Sequence, residues 1–511
     1  MSEKKTDEIL TVNLVESPED SATHDPSPSV YEFGPQRHTW RGKLWDSLDY
    51  GKEERWLLFK LDSTLLFLGA AGVFLRYLDQ NNITNAFVSG MKEELNMFGN
   101  ELNYANACWS VGYIIGQLVC SVILTKLKAH YVLGFIEVAW AIITFATSAV
   151  KTYRGLYVAR FFLGLIEAGH FPGIMYITAS WYKKSELTKR SAIIQFCTGV
   201  GPMFSGYLQA AAYDGLDGVS GRSGWRWLFI VDGIISLPLA LLTVVGLPDV
   251  PRQQSANWIF SQREVDLAKT RIPHEVNVKV TYTKKDFFRW FSTWHIYGFG
   301  ILFTLMGLAG QASSSLPYWF KSYKGEFTVS QINIYPTPMY AIQVVSTVIY
   351  AYLSDNWLNG RRWLIIVWVA LVSFPVNLAL ALLPVHPANR AGRWALYYLC
   401  GLTPGAAAQI WSWVNELLAG DPLKRAFVST FMNALSYSFQ AWFPIVLYPT
   451  QDQPYVKNGL LASTVFAAVF GFVAVAMAYI VHLQHPSGFF QITNIADGVE
   501  HYGDEDEEKA L

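Results

Sequence analysis

Apolar runs recur from Leu61 to near His482, each long enough to cross a bilayer as a helix. Backbone inside lipid must satisfy its own hydrogen bonds, so runs of this length dictate membrane-spanning helices. Hydropathy gives twelve spans: roughly 61–80, 102–124, 131–150, 156–181, 191–213 and 226–247, then 293–320, 332–353, 362–384, 393–419, 426–448 and 459–482. Composition agrees, with only 15% of residues charged, against about 25% in an average soluble protein. The expected fold class is an all-α polytopic membrane protein with twelve transmembrane helices in two parallel six-helix halves. A net charge of −1 offers no bulk attraction for nucleic acid, which is not an expected partner. Cys108, Cys120, Cys197 and Cys400 lie in apolar runs at no metal-binding spacing and read as small core residues.

The expected organisation is a largely disordered cytoplasmic tail over 1–60, one half over 61–247, a cytoplasmic central loop over 248–292, a second half over 293–482 and an acidic tail over 483–511. From the polar start no cleavable signal peptide is expected, and the first span is expected to direct insertion. Short basic loops follow spans 2, 4, 8 and 10 ("TKLKAHY", "YKKSELTKRS", "NGRRW", "DPLKRA"), which puts them and both termini in the cytoplasm. Lys189-Arg190 and Lys424-Arg425 are 235 residues apart, as are Lys126 and Arg361. A six-plus-six duplication in one orientation explains this offset, and such parallel halves mark one large class of secondary transporter.

Charge inside the membrane carries the chemistry. A charged residue at a helix centre costs about 2.5–3.5 kcal/mol on insertion scales, and function is the default reason to keep one. Span 4 reads "YVARFFLGLIEAGHFPGIMYITASWY". Arg160 and Glu167 are seven apart and share a face. Arg160 reads as an anchor for an anionic substrate and Glu167 as the proton site, because burial favours a neutral carboxyl. A structural ion pair is the alternative. His170 follows three residues on, as a further proton-coupling residue or a buried hydrogen-bonded histidine. Gly164 and Gly169 allow close approach of another helix or a ligand.

The end of span 1, "YLDQNNITNA", places Asp79 and Asn82 three apart on one face. That face reads either as part of a watery cavity, with Asn82 toward substrate and Asp79 toward the proton, or as a helix end at the interface. Glu137 and Asp232 are further buried acids suited to pairing with neighbouring spans. Neutral substrate contacts are expected from Gln311 in "GQASSS" and Asn415 in "TPGAAAQIWSWVNE". Asp355, Arg361 and Arg362 in "LSDNWLNGRR", and Glu186 and Arg190 after span 4, form inter-helix latches or simply set topology.

With these residues placed, the chain resembles the major facilitator superfamily, and within it the anion:cation symporter family and its fungal allantoate and pantothenate permease branch. The likeness covers about residues 60–485. It rests on "RFFLGLIEAGHFPG", "WYKKSELTKR", "GWRWLFIVDG", "YLDQNNITNA" leading to "SGMKEEL", and "LSDNWLNGRR". It implies proton-coupled uptake of an organic anion at the plasma membrane. It also implies that Arg160 and Glu167 match the arginine and glutamate tied to substrate and proton coupling in organic-anion relatives. Departures are visible. "LTKLKAHY" lacks the motif's aspartate, Gln80 stands where many members have arginine, span 7 has no arginine, and Leu402 is the offset counterpart of Glu167.

The expectation is therefore a secondary active transporter, importing a small carboxylate such as pantothenate with protons. The alternatives are an antiporting exporter and a nutrient sensor that does not transport. No enzyme activity, metal or cofactor is expected, with the proton gradient as driving force. The expected partners are a small organic anion, protons and the lipid bilayer, for a monomeric plasma-membrane protein.

Overall fold

The computed structural model describes residues 45–251, 253–271, 284–358, 360–418 and 421–484. Twelve helical rods account for most of them. In the first half they are α1 (Lys52–Glu94), α2 (Glu101–Lys126), α3 (Ala129–Thr147), α4 (Tyr153–Trp181), α5 (Lys184–Leu216) and α6 (Gly224–Gly246). In the second half they are α7 (Trp294–Ser322), α8 (Thr337–Asn356, led by the short helix Val329–Ile334), α9 (Arg362–Leu382), α10 (390–417), α11 (Pro422–Leu447) and α12 (Lys457–Gln484). Two short helices, Gln262–Arg271 and Lys284–Phe291, lie in the central segment. The segment 1–44 and the acidic tail from 485 lie outside the described residues.

Among the described residues, seven rods are by themselves long and apolar enough to cross a membrane: α1, α3, α4, α6, α7, α9 and α12. Of the remaining five, α2, α5, α8 and α11 pack across the divide between the halves, α2 on α11 and α5 on α8. Their inward faces carry polar groups that lipid would not tolerate, such as Asn103 and Asn106 of α2 and Gln440 of α11. The fifth, α10, is interrupted by tight turns at Cys400–Leu402 and Pro404–Ala406.

Helix boundaries depart from hydropathy in several places: α1 runs on to Glu94 beyond residue 80, α5 starts at Lys184 ahead of residue 191, and two further departures have clear causes. The first rod begins at Lys52 rather than Leu61, because the polar turn Lys52–Leu61 is helical, with Leu57, Leu58 and Leu61 buried. The rod of α4 is two helices, Tyr153–Glu167 and His170–Trp181, broken directly after the carboxylate.

Both helical termini of the bundle, Lys52 and Gln484, belong to one end, called here the terminal end. The hydrogen bonds that join the halves gather at the opposite, far end. Asn100 Nδ2 donates to Ile445 O at 2.9 Å, and Asn103 Nδ2 donates to Pro444 O at 3.0 Å and Tyr448 O at 2.9 Å. Asn333 donates to Ser89 at 2.8 Å, Tyr340 donates to Asn81 at 3.0 Å, and Lys321 meets Glu93 at 3.1 Å.

Ion pairs pin helices within each half at the terminal end. Arg362 donates to Glu416 Oε1 at 2.9 and 2.8 Å, to Ser354 at 3.1 Å, and to Asp355. It thus ties α8, α9 and α10 together, while Arg361 is the residue before α9. The expected Glu186–Arg190 partnership is different in detail. The Arg190 guanidinium donates to Asp62 at 2.8 and 3.1 Å and to the Glu186 carbonyl at 3.2 Å, while the Glu186 carboxylate meets Arg271 of the central segment. The reason is geometric, because Glu186 also caps its own helix and receives the Lys183 N–H at 3.1 Å. Outside the spans, Glu264 is buried enough to raise its pKa, but hydrogen bonds from Lys60 and Ser261 outweigh this and hold it below the usual value.

Arg362→Ala is expected to lower maximal transport about tenfold with little change in apparent affinity, since a charged hydrogen bond contributes about 1.5–3 kcal/mol to the state that holds it. Initial-rate kinetics of the variant check this. A large affinity loss at normal turnover would contradict the latch.

Candidate functional site

A cavity of about 210 Å³ lies between the halves. Gln80, Thr84, Asn103, Asn106, Trp109, Ser110 and Arg160 line it from the first half, and Gln311, Ser314, Tyr318, Tyr437 and Gln440 from the second. Among the described lining residues, Arg160 is the only one with a formal charge. Arg160 and Gln311, both expected from the sequence to contact substrate, line the same cavity.

Arg160 is 3% exposed, and its Nη2 has no hydrogen-bond partner among the described residues. A buried donor without a partner is costly, and the residue that carries it lines the cavity. Asp79 and Glu167 are its charged neighbours. Glu167 is fully buried and does not line the cavity; its Oε2 accepts the indole N–H of the lining residue Trp109 at 3.0 Å. Asp79, also fully buried, accepts the Thr144 hydroxyl at 2.6 Å. The seven-residue spacing of Arg160 and Glu167 does put both on the buried face of α4. That face sits tightly on α2, since a Cβ at Gly164 would strike the carbonyl of Trp109.

Three expected site residues lie elsewhere. Asn82 does not line the cavity, because its amide is committed on both sides: Nδ2 donates to Asp232 at 2.6 Å and Oδ1 accepts from Ser205 at 2.6 Å. Ser236 donates to the same Asp232 at 3.0 Å and Asn85 to Ser205 at 2.7 Å, so Asn82 locks α1 to α5 and α6. Asn415 is exposed near the terminal end of α10, away from the lining. His170 is fully buried against α3, its Nε2 2.8 Å from Glu137 Oε1. A Cβ at Gly72 would come within 2.6 Å of that carboxylate and 2.7 Å of that ring, which explains the glycine.

The structure also brings in residues that the sequence did not single out. Arg76 is 1% exposed in α1, with Nε 3.8 Å from Glu167 Oε2. The available signal was a lone arginine in an apolar run, three residues before Asp79. Trp109, Tyr437 and Gln440 are neutral, so hydropathy gave no reason to separate them from packing residues.

The family model of the Major Facilitator Superfamily matches residues 69–444. The chain belongs to the major facilitator superfamily. It is accordingly a polytopic membrane transporter and not an enzyme. It is 35% identical over 437 residues to the pantothenate transporter liz1 of Schizosaccharomyces pombe, covering 85% of this chain and 83% of that protein. It is 32% identical to the pantothenate transporter FEN2 of Saccharomyces cerevisiae, covering 83% and 84%. These relatives support the fungal pantothenate-type branch that the sequence motifs indicated. Among solved structures, a bacterial homologue of the human lysosomal transporter Spinster, inward-facing and unoccupied, superposes with a TM-score of 0.59 at 15% identity, covering 80% of this chain and 96% of that one. The D-xylose-proton symporter gives 0.56 at 15% identity, covering 80% and 97%. At that identity the likeness speaks for the fold.

Proposed function

We propose that this transporter imports a small monocarboxylate of the pantothenate type together with protons. In this reading it works at the plasma membrane with both termini in the cytoplasm, and no cofactor beyond the proton gradient is needed. The observation that carries the reading is Arg160, a buried arginine that lines the cavity, whose Nη2 has no hydrogen-bond partner among the described residues, and which is the only charged group among the described lining residues. A guanidinium presents forked donors that match one carboxylate. The surrounding amides and hydroxyls suit a substrate that carries hydroxyl and amide groups beyond its acid end, as pantothenate does. The two curated pantothenate transporters above support the same substrate.

Glu167 and Asp79 supply the proton sites. They lie behind the lining, close enough to sense charge at Arg160 and shielded from bulk water. A proton on Glu167 frees Arg160 from one competing carboxylate, so substrate and proton favour each other's binding. Release of both on the other side follows when the halves rock. In this reading, with the termini inside, the far-end hydrogen bonds close the outer side of the transport path.

Uptake of labelled carboxylates into a yeast strain lacking its own permeases tests the substrate. Saturable pantothenate uptake is expected, inhibited by unlabelled pantothenate. Succinate should compete poorly, because its second carboxylate finds no cation in the lining. Equal competition by succinate, or no carboxylate uptake, would overturn the reading.

A further inference from the structure

Arg76 has no part in the cycle just described, yet it keeps a full charge in mid-span, where insertion is expensive. Its 3.8 Å approach to Glu167 is an ion pair too long for a hydrogen bond, and its Nε and Nη2 donate to no described acceptor. Instead its guanidinium lies 5.0 Å from the ring centre of Tyr113 and 5.3 Å from that of Tyr77. Tyr113 stacks on Trp109 at 5.0 Å, and Trp109 is the hydrogen-bond donor to Glu167. Both rings meet Tyr437 of the opposite half, Tyr113 at 4.7 Å and Trp109 at 5.7 Å. The two groups that attend the Glu167 carboxylate are therefore joined to the rings that grip the other half.

We propose that Arg76 is a positioning residue that transmits the charge state of Glu167 to the Trp109–Tyr113–Tyr437 contact between the halves. The inference rests on the reading of Glu167 as a proton site. With Glu167 ionised, the indole hydrogen bond is charge-assisted and Arg76 is drawn to the carboxylate, which holds both rings against Tyr437. A proton on Glu167 makes the indole bond neutral and removes the counter-charge of Arg76. The ring contact is then weaker, so the rate at which the halves rearrange depends on the charge of Glu167. The other ionisable groups facing Glu167 are Asp79 and Tyr77 from α1, Arg160 from α4, Asp232 from α6 and Tyr437 from α11. None of these both pairs with Glu167 and stacks on the interface rings. The placement also has a consequence for the cavity. The cation sits one turn before Gln80, and it is the neutral Gln80, not Arg76, that lines the cavity.

The test is pantothenate exchange in proteoliposomes at acid and at neutral pH, equal on both sides. Wild type is expected to change rate between the two by about fivefold or more, the lower end of ordinary coupling between sites. Arg76→Gln should compress that change to about twofold or less while exchange persists, because the site remains but its message is lost. Tyr113→Leu should copy Arg76→Gln. Tyr113→Phe, which keeps the ring face, should retain the pH dependence. The Tyr113 pair decides the matter even if Arg76→Gln does not fold. If Tyr113→Leu and Arg76→Gln keep the wild-type ratio, or slow exchange equally at both pH values, Arg76 is only structural and the inference falls. A wild type that exchanges pantothenate with no pH dependence overturns the proton reading of Glu167 itself, a different outcome.

Discussion

Arg160→Ala is expected to raise the apparent KM for pantothenate about 30-fold or more, since truncating one member of a buried charge pair costs about 2–5 kcal/mol. The variant removes the only charged group among the described lining residues and leaves a carboxylate to enter a cavity of neutral donors. Arg160→Lys is the sharper comparison. It keeps the charge but loses the planar fork, and a lysine reaches from a different height. An affinity loss of about tenfold is expected, between wild type and alanine. Neutral amides on the second half cannot replace the lost charge, because Gln311 already donates to Ser314 at 3.3 Å and Gln440 to Ser436 at 2.8 Å. Direct binding of labelled pantothenate to purified protein separates this from a turnover effect. Unchanged binding by Arg160→Ala would move the anion site elsewhere.

Glu167→Gln is expected to abolish accumulation driven by a proton gradient while retaining exchange. The amide imitates the protonated acid in shape and charge, and it still accepts the Trp109 indole N–H through its carbonyl oxygen. A carrier fixed in the loaded form can shuttle substrate both ways but cannot discharge a proton. Counterflow and gradient-driven uptake measured on the same vesicles distinguish the two. Full accumulation by Glu167→Gln would move the coupling site to Asp79, the next buried acid beside Arg160.

Much of this was legible from periodicity alone. Apolar runs of bilayer length fixed the number of rods, and a seven-residue spacing put Arg160 and Glu167 on one buried face. What the pattern left open is which neighbour each polar group meets. Asn82 and Asp79 share a face of α1, but Asn82 meets Asp232 from a helix 150 residues away and closes a hydrogen-bond network instead of facing the cavity. Gln311 and Asn415 looked alike as polar groups in broken spans, yet only Gln311 reaches the lining. Arg76 was hidden for the opposite reason, since one charge among leucines and glycines barely lowers a hydropathy average. The helices that pack across the divide, α2 on α11 and α5 on α8, place polar residues such as Asn103, Asn106 and Gln440 at the cavity, where lipid does not reach.

The central claim is that one proton-binding carboxyl and one arginine in α4 move a proton and a carboxylate together. It is tested most directly by trapping a pH indicator inside proteoliposomes of the wild-type protein and adding pantothenate outside, with no initial pH gradient. The account predicts that the lumen acidifies as pantothenate enters, at a rate that saturates with substrate and disappears in Glu167→Gln. Pantothenate accumulation with an unchanged internal pH would contradict it.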